Sequence, residues 1–319
     1  MTPAQHALAL LAPFATADEP LAPHTTYRLG GPAAVFATPR TLDELRAVGH
    51  ACAVTGLPVL VVGRGSNLLV ADTGFDGIVV SLAALADVGD HVAITDPPVV
   101  AGAAVALPVL SRRLAAAGLA GFEWAVGVPG SIGGAVRMNA GGHGSDIAAT
   151  LQGVQLLDLR TDRCGWVPAA HLGLRFRGSD LVDTQVVLDA TLRLSHGDVA
   201  TAEAAVAEIV HWRREHQPGG RNAGSVFVNP VPGELAAAPL IDGLGLRGFR
   251  VGGAFVSDKH ANFIQAGDGA TAADVRAVME HVRAEVFAHT GYALRSEVRL
   301  VGFADTPPES PESRPGVSW

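Results

Sequence analysis

The sequence predicts an α/β protein made of several packed units, and three observations carry that expectation. The 319 residues are 48% apolar and only 17% charged, which is material for more than one hydrophobic core. Between residues 24 and 85, short β-branched runs flank a helix-period segment in strand–helix–strand order. Toward the C-terminus a long amphipathic pattern after Thr271 precedes one more strand pattern.

Taken in order, the first stretch, MTPAQHALALLAPFATADEP, carries no Lys or Arg ahead of its apolar run. It lacks the positive region of a secretion signal and reads as a first helix, so a cytoplasmic chain is expected. Thr41 and Glu44 have capping-box spacing, and Leu42, Leu45, Val48 and Cys52 recur every three or four residues. Pro58–Val62 and Gly77–Val80 read as buried strands around that helix. Residues 86–197 continue as strands and turns, with a helix near Val109–Ala117 closed by Gly118. The seven glycines between Gly127 and Gly144 predict a loop rather than a regular element. A helix over Thr201–Arg214 follows, then strands near Val226 and Ala254. Val275, Val278, Met279, Val282 and Val286 share one face of the helix after Thr271, and Arg295–Val301 reads as the last strand. The expected units are 1–85, 86–197 and 198–303, with a Pro/Ser/Glu-rich tail, 304–319, expected to be disordered.

Several function classes drop out. Gly, Pro or charge interrupts every apolar run before about 18 residues, so no membrane span is expected. A net charge of −8 argues against nucleic-acid binding. Cys52 and Cys164 support neither a disulfide framework nor a metal site. Of 23 basic residues, Lys259 is the only lysine.

Four segments carry candidate chemistry. Gly63-Arg64-Gly65-Ser66-Asn67 follows a buried strand, and its glycines let backbone N–H groups turn inward as a nest suited to phosphate. It is not the dinucleotide fingerprint, since Leu68 stands where a third glycine is needed; alone it reads more readily as a structural turn. Gly127-Val128-Pro129-Gly130-Ser131-Ile132-Gly133-Gly134 offers a backbone surface with few side chains in the way, against which a flat ligand or a pyrophosphate fits. Asn222-Ala223-Gly224-Ser225 leads into a strand pattern with Ser225 at its mouth, where a serine without an evident His base suits hydrogen bonding or proton donation. Arg175 and Arg177 alternate with apolar neighbours as on a strand, and Arg295, Glu297 and Arg299 share one face of the last strand. Taken singly, Glu297 reads as part of a surface salt-bridge ladder.

In their order along the chain these segments, with TTYRLGGPA, FRGS, NAGSVFVNP, VSDKHANFI and EVRLVG, closely resemble the UDP-N-acetylenolpyruvoylglucosamine reductase family, also called UDP-N-acetylmuramate dehydrogenases. The resemblance implies two α/β subdomains of the vanillyl-alcohol-oxidase (PCMH) type holding non-covalent FAD, plus a C-terminal α/β substrate domain. It implies NADPH as hydride donor and a UDP-sugar substrate; charge and hydropathy leave no nucleic acid or membrane partner expected, and a monomer is compatible with the sequence. It assigns FAD to Gly63, Arg64, Gly65, Ser66, Asn67, Gly127, Pro129, Gly130, Ser131, Ile132, Gly133 and Gly134, and no metal. Arg177 and Glu297 then stabilise charge that develops beside the substrate carboxylate, and Ser225 protonates C2. Arg213, His216, Asn229 and Lys259 are the expected substrate contacts.

The chain departs from the family pattern in places. Arg177 and Ser225 are close enough in sequence to exclude the insert that carries a substrate-binding tyrosine, and only Tyr27 and Tyr292 are present. His143 stands where a tyrosine is common, and His216 and Pro239 replace common lysines. Two rival readings share the architecture. One is a flavin oxidoreductase acting on an alcohol or sugar, disfavoured by the joint Arg177, Ser225 and Glu297 motifs. The other is a non-catalytic nucleotide-sugar binder, which would lack flavin absorbance.

Overall fold

In the computed structural model, which describes residues 1–86, 91–94, 97–304 and 316–317, helix α1 (Pro3–Leu11) opens the chain inside a reciprocal capping box. Thr2 Oγ1 accepts from Gln5 N at 3.2 Å, and Gln5 Oε1 accepts from Thr2 N at 2.9 Å. Strands β1 (Ala15–Pro20) and β2 (Pro32–Ala37) lead to α2 (Leu42–Thr55), then β3 (Val59–Val62), β4 (Leu68–Val70) and β5 (Phe75–Ser81). Only half of the predicted capping box forms on α2. Thr41 Oγ1 accepts from Glu44 N, but the Glu44 carboxylate reaches back one residue further, to Arg40 N at 2.6 Å. A cap of this kind stabilises a helix by about 1 kcal/mol. The sheet runs β1-β2-β5-β3, with β2 and β3 both parallel to β5, and α2 buries Leu45 and Val48 against the core.

The second unit is antiparallel. It contains β6 (Val92–Ala93), β7 (Val99–Gly102), α3 (Leu107–Ala116), β8 (Leu119–Ala120), α4 (Ile132–Met138), β9 (Gly141–Gly142), β10 (Ser145–Asp146), β11 (Leu151–Asp158), β12 (Arg163–Pro168), β13 (Gln185–Leu192) and β14 (Ser195–His196). Its main sheet runs β12-β11-β13-β7-β6. Helix α4 corrects the expectation of a loop throughout the glycine-rich segment. Gly133 lies inside that helix because its backbone passes against Ala103, where a side chain would crowd the Ala103 Cβ at 3.1 Å. Close approach, not irregular backbone, explains that glycine.

The third unit comprises α5 (Val199–His216), α6 (Ala237–Gly243), β15 (Arg250–Val251), β16 (Ala254–Val256), β17 (Ile264–Ala266), α7 (Ala272–Thr290) and β18 (Arg299–Val301). Thr271 and Asp274 form a full capping box on α7, Gly291 closes it at φ 76°, and Val275, Val278, Met279, Val282 and Val286 are all buried on one face. Two strand expectations shrink. Around Val226 a single bridge joins Phe227 to Ser296, and the last strand is regular only over β18. That strand pairs in parallel with β4, so the end of the chain completes the first unit.

One core draws on both of the first two units, from Leu11, Leu45 and Ile78 to Leu156 and Leu192. The core of the third unit reaches back to the N-terminal region: Tyr27, Leu29 and Leu69 belong to it, and the buried Tyr27 hydroxyl donates to Ile264 O at 3.1 Å. The tail expected to be disordered lies mostly outside the described residues. Of it, Ala304, Gly316 and Val317 are described, and Val317 is buried with its N–H and C=O both on the Gln185 amide, at 3.0 and 2.7 Å. No helix among the described residues is long and apolar enough to cross a membrane.

Candidate active site

Between β3 and β4 the chain makes a tight glycine turn whose shape is enforced from behind. Gly65 sits at φ 58°, and a Cβ there would press into the His24 carbonyl. Thr26 N donates to Gly65 O at 3.3 Å, which fastens the TTYRLGG segment to the turn. On the other side Ser66 Oγ donates to Pro129 O at 2.8 Å, and Gly63 packs against the Ser131 side chain. The two glycine-rich segments thus meet edge to edge, although they lie more than sixty residues apart.

Their junction is lined by a two-lobed groove. The larger lobe, about 510 Å³, takes in Gly63, Arg64, Gly65, Ser66, Asn67, Gly127, Pro129, Gly130, Ser131 and Gly134. The smaller lobe, about 170 Å³, shares Gly63, Arg64, Ser131 and Gly134 and adds Gly133. Ile132 lines neither lobe, because its side chain is fully buried in the core at the start of α4.

Arg177, Ser225 and Glu297 line the larger lobe as well. Arg177 is not on a strand, contrary to its alternation with apolar neighbours. Arg175 and Gly178 exchange both backbone hydrogen bonds across a tight turn, and Arg177 at φ 56° is held in the left-handed region. Such a conformation costs a non-glycine residue about 1–2 kcal/mol. The turn sends the two arginines apart. Arg175 folds back onto Asp180 at 2.5 Å, while Arg177 Nε reaches Glu297 Oε1 at 2.8 Å. The pair is close as charges without being aligned as a hydrogen bond. Burial pushes the Glu297 carboxyl above its ordinary value, against the opposing pull of Arg177 and Arg295. Ser225 follows Gly224, which sits at φ 77°.

The expected substrate contacts separate. Arg213 lines the larger lobe, and burial lowers its pKa. His216, Asn229 and Lys259 do not line it. His216 turns back on its own helix, stacked on Trp212 with ring centroids 4.6 Å apart. Asn229 Oδ1 accepts from Ala237 N at the start of α6, and Lys259 Nζ donates to the Arg214 carbonyl near the end of α5. Sequence reasoning missed other lining groups. Trp212 and Gln217 on or beside α5, and Phe263, line the larger lobe. Arg137 and Arg299 line both lobes and converge on Asp183, each at 2.5 Å, one on each carboxylate oxygen. No local spacing announces a triad drawn from three distant segments.

Comparison with known proteins fits this geometry. Residues 33–162 match the FAD binding domain model, which spans both glycine-rich segments. Residues 216–301 match the model for the UDP-N-acetylenolpyruvoylglucosamine reductase C-terminal domain, which includes Ser225 and Glu297. The UDP-N-acetylenolpyruvoylglucosamine reductase of Heliobacterium modesticaldum is 42% identical over 288 residues, covering 89% of this chain and 90% of its own. This chain belongs to the UDP-N-acetylenolpyruvoylglucosamine reductase family. The reductase of the same name from Anaeromyxobacter dehalogenans is 43% identical over 92% of this chain and 86% of its own. The crystal structure of the reductase from Thermus caldophilus superposes with a TM-score of 0.75 at 32% identity, covering 90% of this chain and 98% of that one. As in the family's shorter form expected from the sequence, the reductase fold here joins Arg177 to Ser225 without a long insert.

Proposed function

We propose that this protein is an FAD-dependent, NADPH-using enzyme that reduces UDP-N-acetylglucosamine enolpyruvate to UDP-N-acetylmuramate, supplying a peptidoglycan precursor. The observation that supports the reading is that the Arg177–Glu297 pair and Ser225 line the same groove as the two glycine-rich segments. The groove suits FAD on its own terms. Its walls at Gly63, Gly65, Gly130 and Gly134 are backbone, and Arg64, Arg137 and Arg299 supply positive charge. Units 1–85 and 86–197 hold the cofactor non-covalently and 198–303 the substrate.

FAD held against residues 63–67 and 127–134 would supply the hydride-transfer chemistry between NADPH and the enolpyruvyl ether. The chain's own groups handle charge and proton. Negative charge develops at C2 and the adjoining carboxylate, where the Arg177 guanidinium stabilises it. Burial raises the pKa of Glu297, so its carboxyl takes up a proton more readily than a free one beside that developing charge. Ser225 delivers the proton to C2 and is expected to need both neighbours to do so. The protein is further proposed to act as a monomer in the cytoplasm; light scattering checks the oligomeric state.

The test is a visible spectrum of the purified protein followed by a steady-state assay. A flavin spectrum bleached by NADPH, and NADPH oxidation accelerated by the enolpyruvyl substrate, are expected. If the substrate leaves that oxidation rate unchanged, the proposed reaction is wrong.

A further inference from the structure

The sequence assigns Asn67 to the cofactor as the last residue of the glycine turn, yet its side chain is committed elsewhere. Its Nδ2 donates to the Glu297 carbonyl at 2.9 Å, and its own carbonyl accepts from Arg299 N at 3.0 Å. The parallel ladder between β4 and β18 stops at the Leu68–Arg299 pair, and the Asn67 amide extends it by one contact made with a side chain. From the opposite edge, Glu297 N donates to Val226 O at 2.8 Å, immediately after Ser225. The Glu297 main chain is therefore gripped from both sides, by the cofactor turn and by the serine motif.

We propose that Asn67 is a positioning residue for Glu297: it sets the height of residue 297 in the groove and so the contact of that carboxylate with Arg177. The inference rests on the role proposed above for Glu297. Asn67 lines the groove beside Ser66, so a cofactor seated on residues 63–66 and a correctly placed carboxylate share one rigid joint. A side-chain amide is suited to this because it gives a donor to a carbonyl that faces no main-chain N–H. Aspartate, of nearly the same shape, presents oxygen to oxygen there and turns attraction into repulsion.

The experiment separates positioning from cofactor binding by measuring three quantities on Asn67→Ala and Asn67→Asp: flavin affinity, reduction of bound flavin by NADPH, and its reoxidation by the enolpyruvyl substrate. The expected result is flavin affinity and NADPH reduction within about threefold of wild type, with reoxidation slowed about thirtyfold or more. The carboxylate limb in the pH profile of reoxidation should also move to higher pH, because a displaced Glu297 loses the pull of Arg177. Asn67→Gln, which keeps the amide, should recover part of the rate. Flavin loss in proportion to activity, with normal reoxidation per bound flavin, would make Asn67 a cofactor ligand and overturn the proposal. So would variants in which nothing changes. Should Asn67→Ala fold poorly, the near-isosteric Asn67→Asp decides between the two roles. If Glu297→Gln itself reoxidises normally, the role of Glu297 falls; if only the Asn67 variants do, the positioning role alone falls.

Discussion

Lys259 reaches across from the turn after β16 to the Arg214 carbonyl near the C-terminus of α5. The last turns of that helix carry Trp212 and Arg213 into the groove, so the ammonium holds a wall of the site without standing in it. A cation at this end also complements the helix dipole. Lys259→Met should raise the KM for the UDP-sugar severalfold while leaving NADPH reduction of the flavin unchanged. Lys259→Arg should fall short of full recovery, because a planar fork meets one carbonyl less directly than an ammonium on a flexible stem. Initial rates at varied substrate check both.

Ser225→Ala is expected to divide the two halves of the reaction. Flavin reduction by NADPH should stay within about threefold of wild type, while product formation falls by about a hundredfold or more, the range seen when a general acid is removed. Rapid mixing of each half-reaction measures the split. A parallel fall in both halves would mark Ser225 as structural.

Glu297 gives the fold a pH signature. Its folded pKa lies above the unfolded value, so the native state holds its proton to higher pH than the unfolded chain does. Any stability it contributes is therefore fully present below the ordinary carboxylate range and is lost as pH rises through the raised folded value. Denaturant unfolding of wild type and Glu297→Gln should show a difference that declines across that window and is flat on either side.

Gly65→Ala should weaken cofactor binding. The new methyl meets the His24 carbonyl, and φ 58° is strained for any residue with a Cβ. Flavin affinity is expected to fall by about tenfold or more, following the left-handed cost of roughly 1–2 kcal/mol plus the clash. Apoprotein titration with FAD reads it directly. By contrast Gly144→Ala, at an open position of φ 83°, should carry only the backbone cost.

What the sequence disclosed followed from how local each determinant is. Helix α7 is legible because its caps, Thr271 and Gly291, and its apolar face lie within one segment. Residues 63 to 67 are legible by themselves only as a glycine turn after a buried strand; their place in the groove follows from meeting the segment around Pro129, more than sixty residues away. Helix α4 is hidden, since Gly133 is there for contact with Ala103, and a glycine selected for closeness looks the same as one selected for a loop. Arg137, Asp183 and Arg299 meet only through the packing of three segments, and nothing near any one of them foretells the others. His216 matches a motif position, yet stacking on Trp212 turns its ring back along α5. A motif fixes where a residue stands, while its neighbours decide where it points.

The parallel pairing of β4 with β18 also bears on how the molecule is made. Residues 68–70 emerge early in synthesis, but the strand they wait for, 299–301, comes near the end of the chain. Units that could otherwise fold in order of translation are thereby tied to its last stretch. A truncated chain lacks both the closing strand and Glu297, so it can neither finish the glycine turn nor assemble the acidic half of the site. Synthesis must pass residue 301 before the strand beside the glycine turn can close against its partner.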